Sequence, residues 1–257
     1  ARQGKGELAI QSEERMLARY AAEGNAVHLS SAYLNKGHIL FNRKQYADAA
    51  DTYDDFLRRF PDHTDRPLAL YQSGLCHYRL QRTGDAVDRW EELVDIDPSA
   101  EIAERAWARA GDVYFQTAHY EDAKRCYQGL LDNFATSQGA ALGMLRMAQC
   151  DYNAGRDAEA LGAFSAVVER YPGTGVAREA ERGIERALYR LGQSDDGTAV
   201  LAQLVEEYPT SSFAADAQFE IALRHYEAKE FTEAADAFRR VIRQFPSYSD
   251  ADRAHYL

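Results

Sequence analysis

The sequence predicts an all-α fold in which one helical hairpin is repeated along the chain. Three sets of residues recur at a spacing of 37 positions. Two sets are small, apart from Glu185, as the close crossing of two helices requires. The third set is large and apolar and follows one helical turn after the second. The sets are Gly37, Gly74, Gly111, Ala148, Glu185 and Ala222; Ala49, Ala86, Ala123, Ala160, Gly197 and Ala234; and Tyr53, Trp90, Tyr127, Phe164, Leu201 and Phe238.

Proline marks the end of each predicted second helix. It lacks an amide hydrogen and clashes with the preceding helical turn, so a helix stops before it. Five of six equivalent positions have it, and the third has Ala135, where we expect the stack to flex; the prolines are Pro61, Pro98, Pro172, Pro209 and Pro246. The spacing predicts six complete repeats, at 30–66, 67–103, 104–140, 141–177, 178–214 and 215–251.

The remaining residues lie at the two ends. Ser12, Met16 and Gly24 match the small, large and stop positions, so residues 1–29 are predicted to hold the second helix of a degraded preceding repeat and a linker. Residues 252–257 are predicted to begin a further repeat that is cut short, which we expect to reflect either an imposed boundary of this sequence or a native protein that continues. The fifth repeat is expected to be the least regular, because it has Glu185 at a small position and SDDG at 194–197 in place of the usual turn.

One stretch, residues 104–127, links the repeat to a known family. It matches the pattern W-x2-L-G-x2-Y followed by A-x3-F, with alanine at the leucine position, through Trp107, Ala110, Gly111, Tyr114, Ala123 and Tyr127. The chain therefore resembles tetratricopeptide repeat (TPR) proteins. This resemblance implies a right-handed α-solenoid of helix-turn-helix repeats, in which the first helices line a concave groove.

The length of the repeat and its ending resemble those of bacterial cell-envelope TPR proteins. The similarity is closest at residues 46–80 and 167–192, where F/Y-P-x-S/T-like endings occur. It is strongest to the Tol-Pal-associated cell-division coordinator family and more distant to the outer-membrane lipoprotein of the β-barrel assembly machinery. This resemblance implies a periplasmic or outer-membrane-associated protein, with a cytoplasmic adaptor as the alternative.

Composition excludes several classes of partner. The net charge of −11 and the isoelectric point near 5.1 argue against nucleic acid, whose phosphates require a basic surface. No run of apolar residues is long enough to cross a membrane. The three cysteines are too widely spaced for a metal pair or a disulfide framework, so we interpret them as packing residues.

Catalytic motifs are absent from the sequence. It contains no H-E-x-x-H, G-x-x-x-x-G-K-[ST] or G-x-S-x-G pattern. His77 and His225 occupy equivalent repeat positions, which favours packing over metal binding. We predict a non-enzymatic protein without a cofactor or a metal; an appended enzyme would have to lie outside these residues.

Charge is sorted between the two helices of each repeat. First helices carry arginines at positions that face the ligand in TPR proteins, whereas second helices carry many carboxylates. Arginine binds carboxylates in a bidentate manner, so a basic groove for an acidic or C-terminal peptide is predicted. The predicted groove residues are Tyr71, Tyr78, Arg79, Arg105, Arg109, Asp112, Phe115, Arg146, Gln149, Tyr152, Arg182, Arg186, Tyr189 and Arg190.

Two readings of these residues stay open. The arginines either bind a ligand or pair with carboxylates inside the stack, and the aromatics either line the groove or belong to the core. Arg105 and Arg109 also match two of the five positions of the chaperone-tail TPR clamp, whose other positions are Leu34, His38 and Gln72 here. The predicted function is a protein-binding scaffold of the cell envelope, and the alternative is a repeat module that stacks end to end or forms homo-oligomers.

Overall fold

The structure is a computed structural model that describes residues 2–24 and 26–256, with side chains for residue 8 and from residue 10 onward. Residues 1, 25 and 257 of the predicted terminal segments lie outside this described part. Within it every regular element is a helix. The chain divides into two compact units, residues 1–143 and 144–257.

The first unit contains seven helices and the beginning of an eighth. They are α1 (Arg2–Glu23), α2 (Ala26–Asn42), α3 (Tyr46–Arg59), α4 (Arg66–Arg79), α5 (Thr83–Ile96), α6 (Glu101–Gln116), α7 (Tyr120–Phe134) and α8 (Gln138–Asn153), which continues into the second unit. The second unit continues with α9 (Asp157–Arg170), α10 (Gly175–Gly192), α11 (Thr198–Glu207), α12 (Ala214–Glu227), α13 (Phe231–Gln244) and α14 (Ala251–Tyr256).

Five of the hairpins share one turn of three residues. The middle residue of this turn has a left-handed backbone, with φ between 60° and 77°, and the amide of the next residue donates to a carbonyl five residues earlier, over 2.9–3.0 Å. This is a Schellman ending of the first helix, which satisfies carbonyls that would otherwise lack partners. The middle residues are Lys44, Gln81, Ala118, Gly155 and Lys229.

The large residues of the repeat pack against the glycines of the first helices, as the sequence predicts. A Cβ on Gly37 would lie 2.6 Å from the Tyr53 ring, and one on Gly111 would lie 2.7 Å from the Tyr127 ring. All six large residues are buried. The glycines are therefore needed for close approach of an aromatic ring to the helix backbone.

The helix ends follow the proline pattern. Five second helices end two residues before the proline of their repeat, whereas α7, which is followed by Ala135, extends to Phe134. Side chains cap two of the following first helices: Ser137 Oγ accepts from the Ala140 amide at 3.0 Å, and Thr174 Oγ1 accepts from the Ala177 amide at 3.1 Å.

The fifth hairpin departs from the common geometry, as the sequence predicts. Helix α11 has 10 residues, against 14 or 15 in the other second helices of the repeats, and five residues, 193–197, separate it from α10. Arg224 of α12 holds this longer turn: its guanidinium donates to the carbonyls of Gly192 at 2.9 Å and Ser194 at 3.0 Å and pairs with Glu220 at 3.0 Å. A side chain thus replaces the backbone hydrogen bond that closes the regular turns.

Candidate functional site

In the first unit, the predicted groove arginines lie on α4 and α6. Arg105 and Arg109 are one helical turn apart on α6, and Arg79 is the last residue of α4. All three side chains are exposed, and none forms an ion pair or a hydrogen bond with any residue that the structure describes. Each guanidinium keeps its full set of donors for a ligand.

A surface depression of about 560 Å³ lies beside Arg105. Its apolar lining comes from Pro67, Leu68 and Ile102, at the beginnings of α4 and α6. Its polar lining includes Asp65 and Glu101, along with Thr64 and Asp97 from the preceding loops, and Ala100 adds to the apolar part. Arg105 therefore stands at the edge of a recess that has room for a side chain.

Three second-helix carboxylates of this unit pair with other arginines. Asp54 of α3 pairs with Arg89 of α5 at 3.1 Å, and Glu91 of α5 pairs with Arg125 of α7 at 2.7 Å. Glu92 pairs with Arg66 of α4. The first two pairs join successive hairpins, the third joins the two helices of one hairpin, and none involves a predicted groove arginine.

Two of the three aromatic groove candidates of this unit contact the core. Tyr71 is buried and Tyr78 lies 6.2 Å from the Trp90 ring, which favours the packing role for both. Phe115 is half-buried and meets Tyr120 edge to face at 6.0 Å. Asp112 accepts the Tyr127 hydroxyl at 2.9 Å, so its carboxylate also has an internal contact. Leu34, a position of the chaperone-tail clamp, is buried as well.

In the second unit, Arg190 of α10 joins three groups. Its Nε donates to Asp157 at 2.6 Å, its Nη2 donates to the Tyr152 carbonyl, and its guanidinium lies 3.7 Å from the centre of the Tyr152 ring. The hydrogen bond to Asp157 raises the pKa of Arg190. This side chain braces the turn between α8 and α9.

The other candidates of the second unit also have internal partners. Glu179 pairs with Arg182 at 3.2 Å and with Arg186 at 3.4 Å, and Arg186 Nε donates to the carbonyl of residue 182 at 3.1 Å. Arg146 donates to Gln149 at 2.9 Å. Tyr189 stacks on Phe213 with ring centres 5.0 Å apart, and burial raises its pKa. Internal partners thus describe the groove candidates of the second unit, and exposure without partners describes the three predicted groove arginines of the first.

Comparison with known proteins identifies the repeat. A family model described as tetratricopeptide repeat matches residues 31–101, 108–174 and 186–249, which together make up most of the chain. The chain belongs to the tetratricopeptide repeat family. Such repeats bind protein or peptide partners and are generally non-catalytic scaffolds.

Two curated TPR relatives have low identity to this chain. The outer membrane protein assembly factor BamD of Caulobacter vibrioides is 26% identical over 150 residues, which are 57% of this chain and 43% of that protein. Hsp70-Hsp90 organizing protein 2 of Arabidopsis thaliana is 25% identical over 114 residues, which are 44% of this chain and 19% of that protein. The match thus spans less than half the length of each relative.

A solved TPR structure has the same fold. The C-terminal part of a TPR protein from Cytophaga hutchinsonii aligns with a TM-score of 0.52 at 12% identity, covering 97% of this chain and 98% of that one. This likeness concerns the fold alone.

Three further features of the described residues bear on function: metal sites, cysteines and membrane-spanning helices. Across the described residues there is no group of three or more histidine, cysteine or acidic side chains that could hold a metal ion. The three cysteines are buried free thiols, and burial raises the pKa of Cys76 and Cys126 to about 12. Within residues 2–24 and 26–256, no helix combines the length and the apolar character needed to span a bilayer.

Sequence reasoning missed one surface feature. A cavity of about 820 Å³ lies in the second unit among α11, α12 and α13, and Gln218 and Arg240 are among its lining residues. The available signal is Ala202, which stands five residues before the end of α11, where α3 has Asp54 and α5 has Glu91. Ser165 of α9 is also uncharged at this position, so the pattern indicates a change of side chain and does not by itself predict a cavity.

Proposed function

We propose that this TPR protein is a non-catalytic scaffold that binds an acidic peptide segment across α4 and α6 of its first unit. One observation carries the proposal: Arg79, Arg105 and Arg109 are exposed and have no partner among the described residues, although the chain has 41 acidic residues and 30 lysines and arginines. In so acidic a protein, arginines without internal partners are available to an external carboxylate.

The chemistry of arginine suits this role. Its planar guanidinium forms two parallel hydrogen bonds to a carboxylate, and hydrogen bonds between charged groups are stronger than neutral ones. Arg105 and Arg109 are spaced by one helical turn, so they fit two acidic residues of one segment. A repeat wall that is folded before binding avoids the entropy cost of ordering a flexible site.

The proposal includes a location in the bacterial cell envelope. Its support is the resemblance of the repeat to envelope TPR proteins and the relative from Caulobacter vibrioides, which is named as an outer membrane protein assembly factor. Fractionation of cells that produce the native full-length protein tests this location. Recovery with the periplasm or the outer membrane supports it, and recovery with the cytoplasm contradicts it.

The binding proposal is tested with a fluorescein-labelled octapeptide of alternating glutamate and aspartate. We expect it to bind the wild-type protein with an affinity that falls as salt is raised. The double variant Arg105→Glu with Arg109→Glu should bind roughly tenfold more weakly or worse, because two charge-assisted contacts become repulsions. Fluorescence anisotropy measures the affinity.

The matched control is Arg182→Glu with Arg186→Glu, which reverses two arginines of α10 that already pair with Glu179. This control should bind the peptide as the wild type does. Equal loss in both double variants, or unchanged binding in the α6 variant, would refute the proposed site. A glutamine and asparagine version of the peptide should not bind.

The competing possibility is that these repeats stack on another copy of the chain. Sedimentation velocity of the wild type and the α6 double variant tests it. A monomer that binds the acidic peptide supports the scaffold proposal. An oligomer that dissociates when Arg105 and Arg109 are reversed assigns those arginines to self-assembly instead.

A further inference from the structure

The cavity among α11, α12 and α13 has the composition of a binding site. Its volume, about 820 Å³, is within the range of roughly 300–1,000 Å³ that is common for ligand pockets. Ala199, Ala202 and Val205 of α11 form one wall, and Pro209 and Ile221 extend the apolar surface. The other six lining residues are polar or charged and can bind polar groups of a ligand: Thr198, Glu206, Gln218, His225, Arg240 and Gln244.

The α11 side of the cavity has a short side chain at a position that carries a carboxylate in the first unit. There, Asp54 and Glu91 stand five residues before the ends of α3 and α5 and pair with arginines of the next second helix. The same position of α11 is Ala202, which is exposed and too short to reach α13. This side chain leaves the cavity accessible from α11.

Gln218 supplies an unusual polar group to this recess. Its side chain is only 3% exposed, and its Nε2 makes one long hydrogen bond, 3.5 Å, to the Ala237 carbonyl. Its Oε1 accepts no hydrogen bond from any described residue. A primary amide has two donor hydrogens and two acceptor lone pairs, so most of the hydrogen-bonding capacity of this side chain is unused by the described residues. A peptide group, with one N–H and one C=O, is its natural complement.

The rim carries opposite charges on its two sides. Arg240 of α13 is exposed and has no ion pair with a described residue, whereas Glu206 lies on α11. His225, which also lines the cavity, is held by Glu230 at 2.6 Å. An acidic group of a ligand is therefore attracted to Arg240 on α13 and repelled by Glu206 on α11. This difference favours one orientation of the bound ligand.

We propose that this cavity is a second peptide-binding site, separate from the arginines of the first unit. It takes an extended segment that inserts one aliphatic side chain between α11 and α13. Gln218 binds the backbone of that segment, and Arg240 binds an acidic residue next to the aliphatic one. The proposal does not depend on α4 or α6.

The probe is the blocked hexapeptide acetyl-Ser-Gly-Leu-Asp-Gly-Ser-amide, titrated into protein labelled with ¹⁵N at glutamine. The side-chain amide signals of Gln218 are assigned from their loss in Gln218→Leu. We expect these signals to shift in a saturable manner. Replacing leucine in the peptide by alanine should weaken binding roughly tenfold or more, and replacing aspartate by asparagine should weaken it roughly two- to fivefold.

Two variants of α11 provide a matched pair. Ala202→Phe fills the cavity from an exposed position, and Gln203→Phe places the same ring on the adjacent exposed residue, which does not line the cavity. Binding should be lost in the first and kept in the second, with both proteins folded by circular dichroism. The absence of a saturable shift up to the solubility limit, or equal binding by the leucine and alanine peptides, would overturn the proposal, as would unchanged binding in Ala202→Phe.

Discussion

The predicted groove arginines differ between the two units. In the first unit, Arg105 and Arg109 extend into solvent and have no partner among the described residues. In the second unit, Arg190 braces the turn between α8 and α9, and Arg224 holds the turn between α10 and α11. Arg79 and Arg190 occupy equivalent repeat positions, yet Arg79 has no partner among the described residues and Arg190 is paired with Asp157. One repeat position can thus have different roles, and unpaired charges are the candidates for ligand binding.

The largest expected effect comes from Arg224. We expect Arg224→Ala to lower the free energy of unfolding by about 3 kcal/mol, because several charge-assisted hydrogen bonds to one turn are lost together. The matched change in the first unit, Arg109→Ala, should stay within about 0.5 kcal/mol, as is usual for exposed side chains without partners. Urea denaturation measures the free energy of unfolding of both variants. Similar losses in the two variants would contradict the proposed difference between the units.

The irregular turn also depends on Gly197. A Cβ there would collide with the carbonyl group of Gly192, which is backbone and cannot move aside easily. We expect Gly197→Ala to cost about 2 kcal/mol, in the range of overpacked sites. Gly162→Ala in α9, where a Cβ would meet nothing within 4 Å, should instead stabilise the protein by about 0.5–1 kcal/mol. Thermal melting of the two variants should shift in opposite directions.

The large buried residue of the repeat differs in polarity between Tyr53 of the first unit and Phe164 of the second. The buried Tyr53 hydroxyl has no hydrogen-bond partner, whereas the equivalent residue of the second unit, Phe164, has no hydroxyl to satisfy. Tyr53→Phe should therefore raise the free energy of unfolding by up to about 1 kcal/mol. Tyr127→Phe removes a hydroxyl that donates to Asp112 and should lower it by about 1 kcal/mol. A loss in Tyr53→Phe as large as that in Tyr127→Phe would contradict this packing account.

The smallest effect concerns the left-handed residue of the regular turns. The first unit has Ala118 at this position with φ of 60°, and the second has Gly155 with φ of 77°. Glycine adopts this backbone without steric cost. Ala118→Gly should stabilise the protein by about 0.5 kcal/mol, and Gly155→Ala should destabilise it by about 1 kcal/mol. Chemical denaturation tests whether the free energy of unfolding rises in Ala118→Gly and falls in Gly155→Ala.

Much of the fold could be predicted from the sequence because its packing recurs. A ring such as Tyr127 and the glycine that it covers lie in one repeat, so their spacing is visible as a period. The partners of the arginines are not periodic: Asp157 is a single residue on α9, and the pairing of Arg190 depends on how the hairpins stack. The cavity of the second unit was equally hard to foresee, since it lies among α11, α12 and α13 of the irregular fifth hairpin and the next one, where the repeat pattern does not describe the packing.

The difference between the units is tested most directly by labelling arginines with p-hydroxyphenylglyoxal and locating the adducts by mass spectrometry. Arg79, Arg105 and Arg109 should react rapidly, and Arg190 and Arg224 should react slowly, because their guanidiniums are held by internal partners. The glutamate–aspartate octapeptide should protect Arg105 and Arg109 from the reagent. Rapid labelling of Arg190 and Arg224, or labelling of Arg105 and Arg109 that the peptide does not change, would contradict the account.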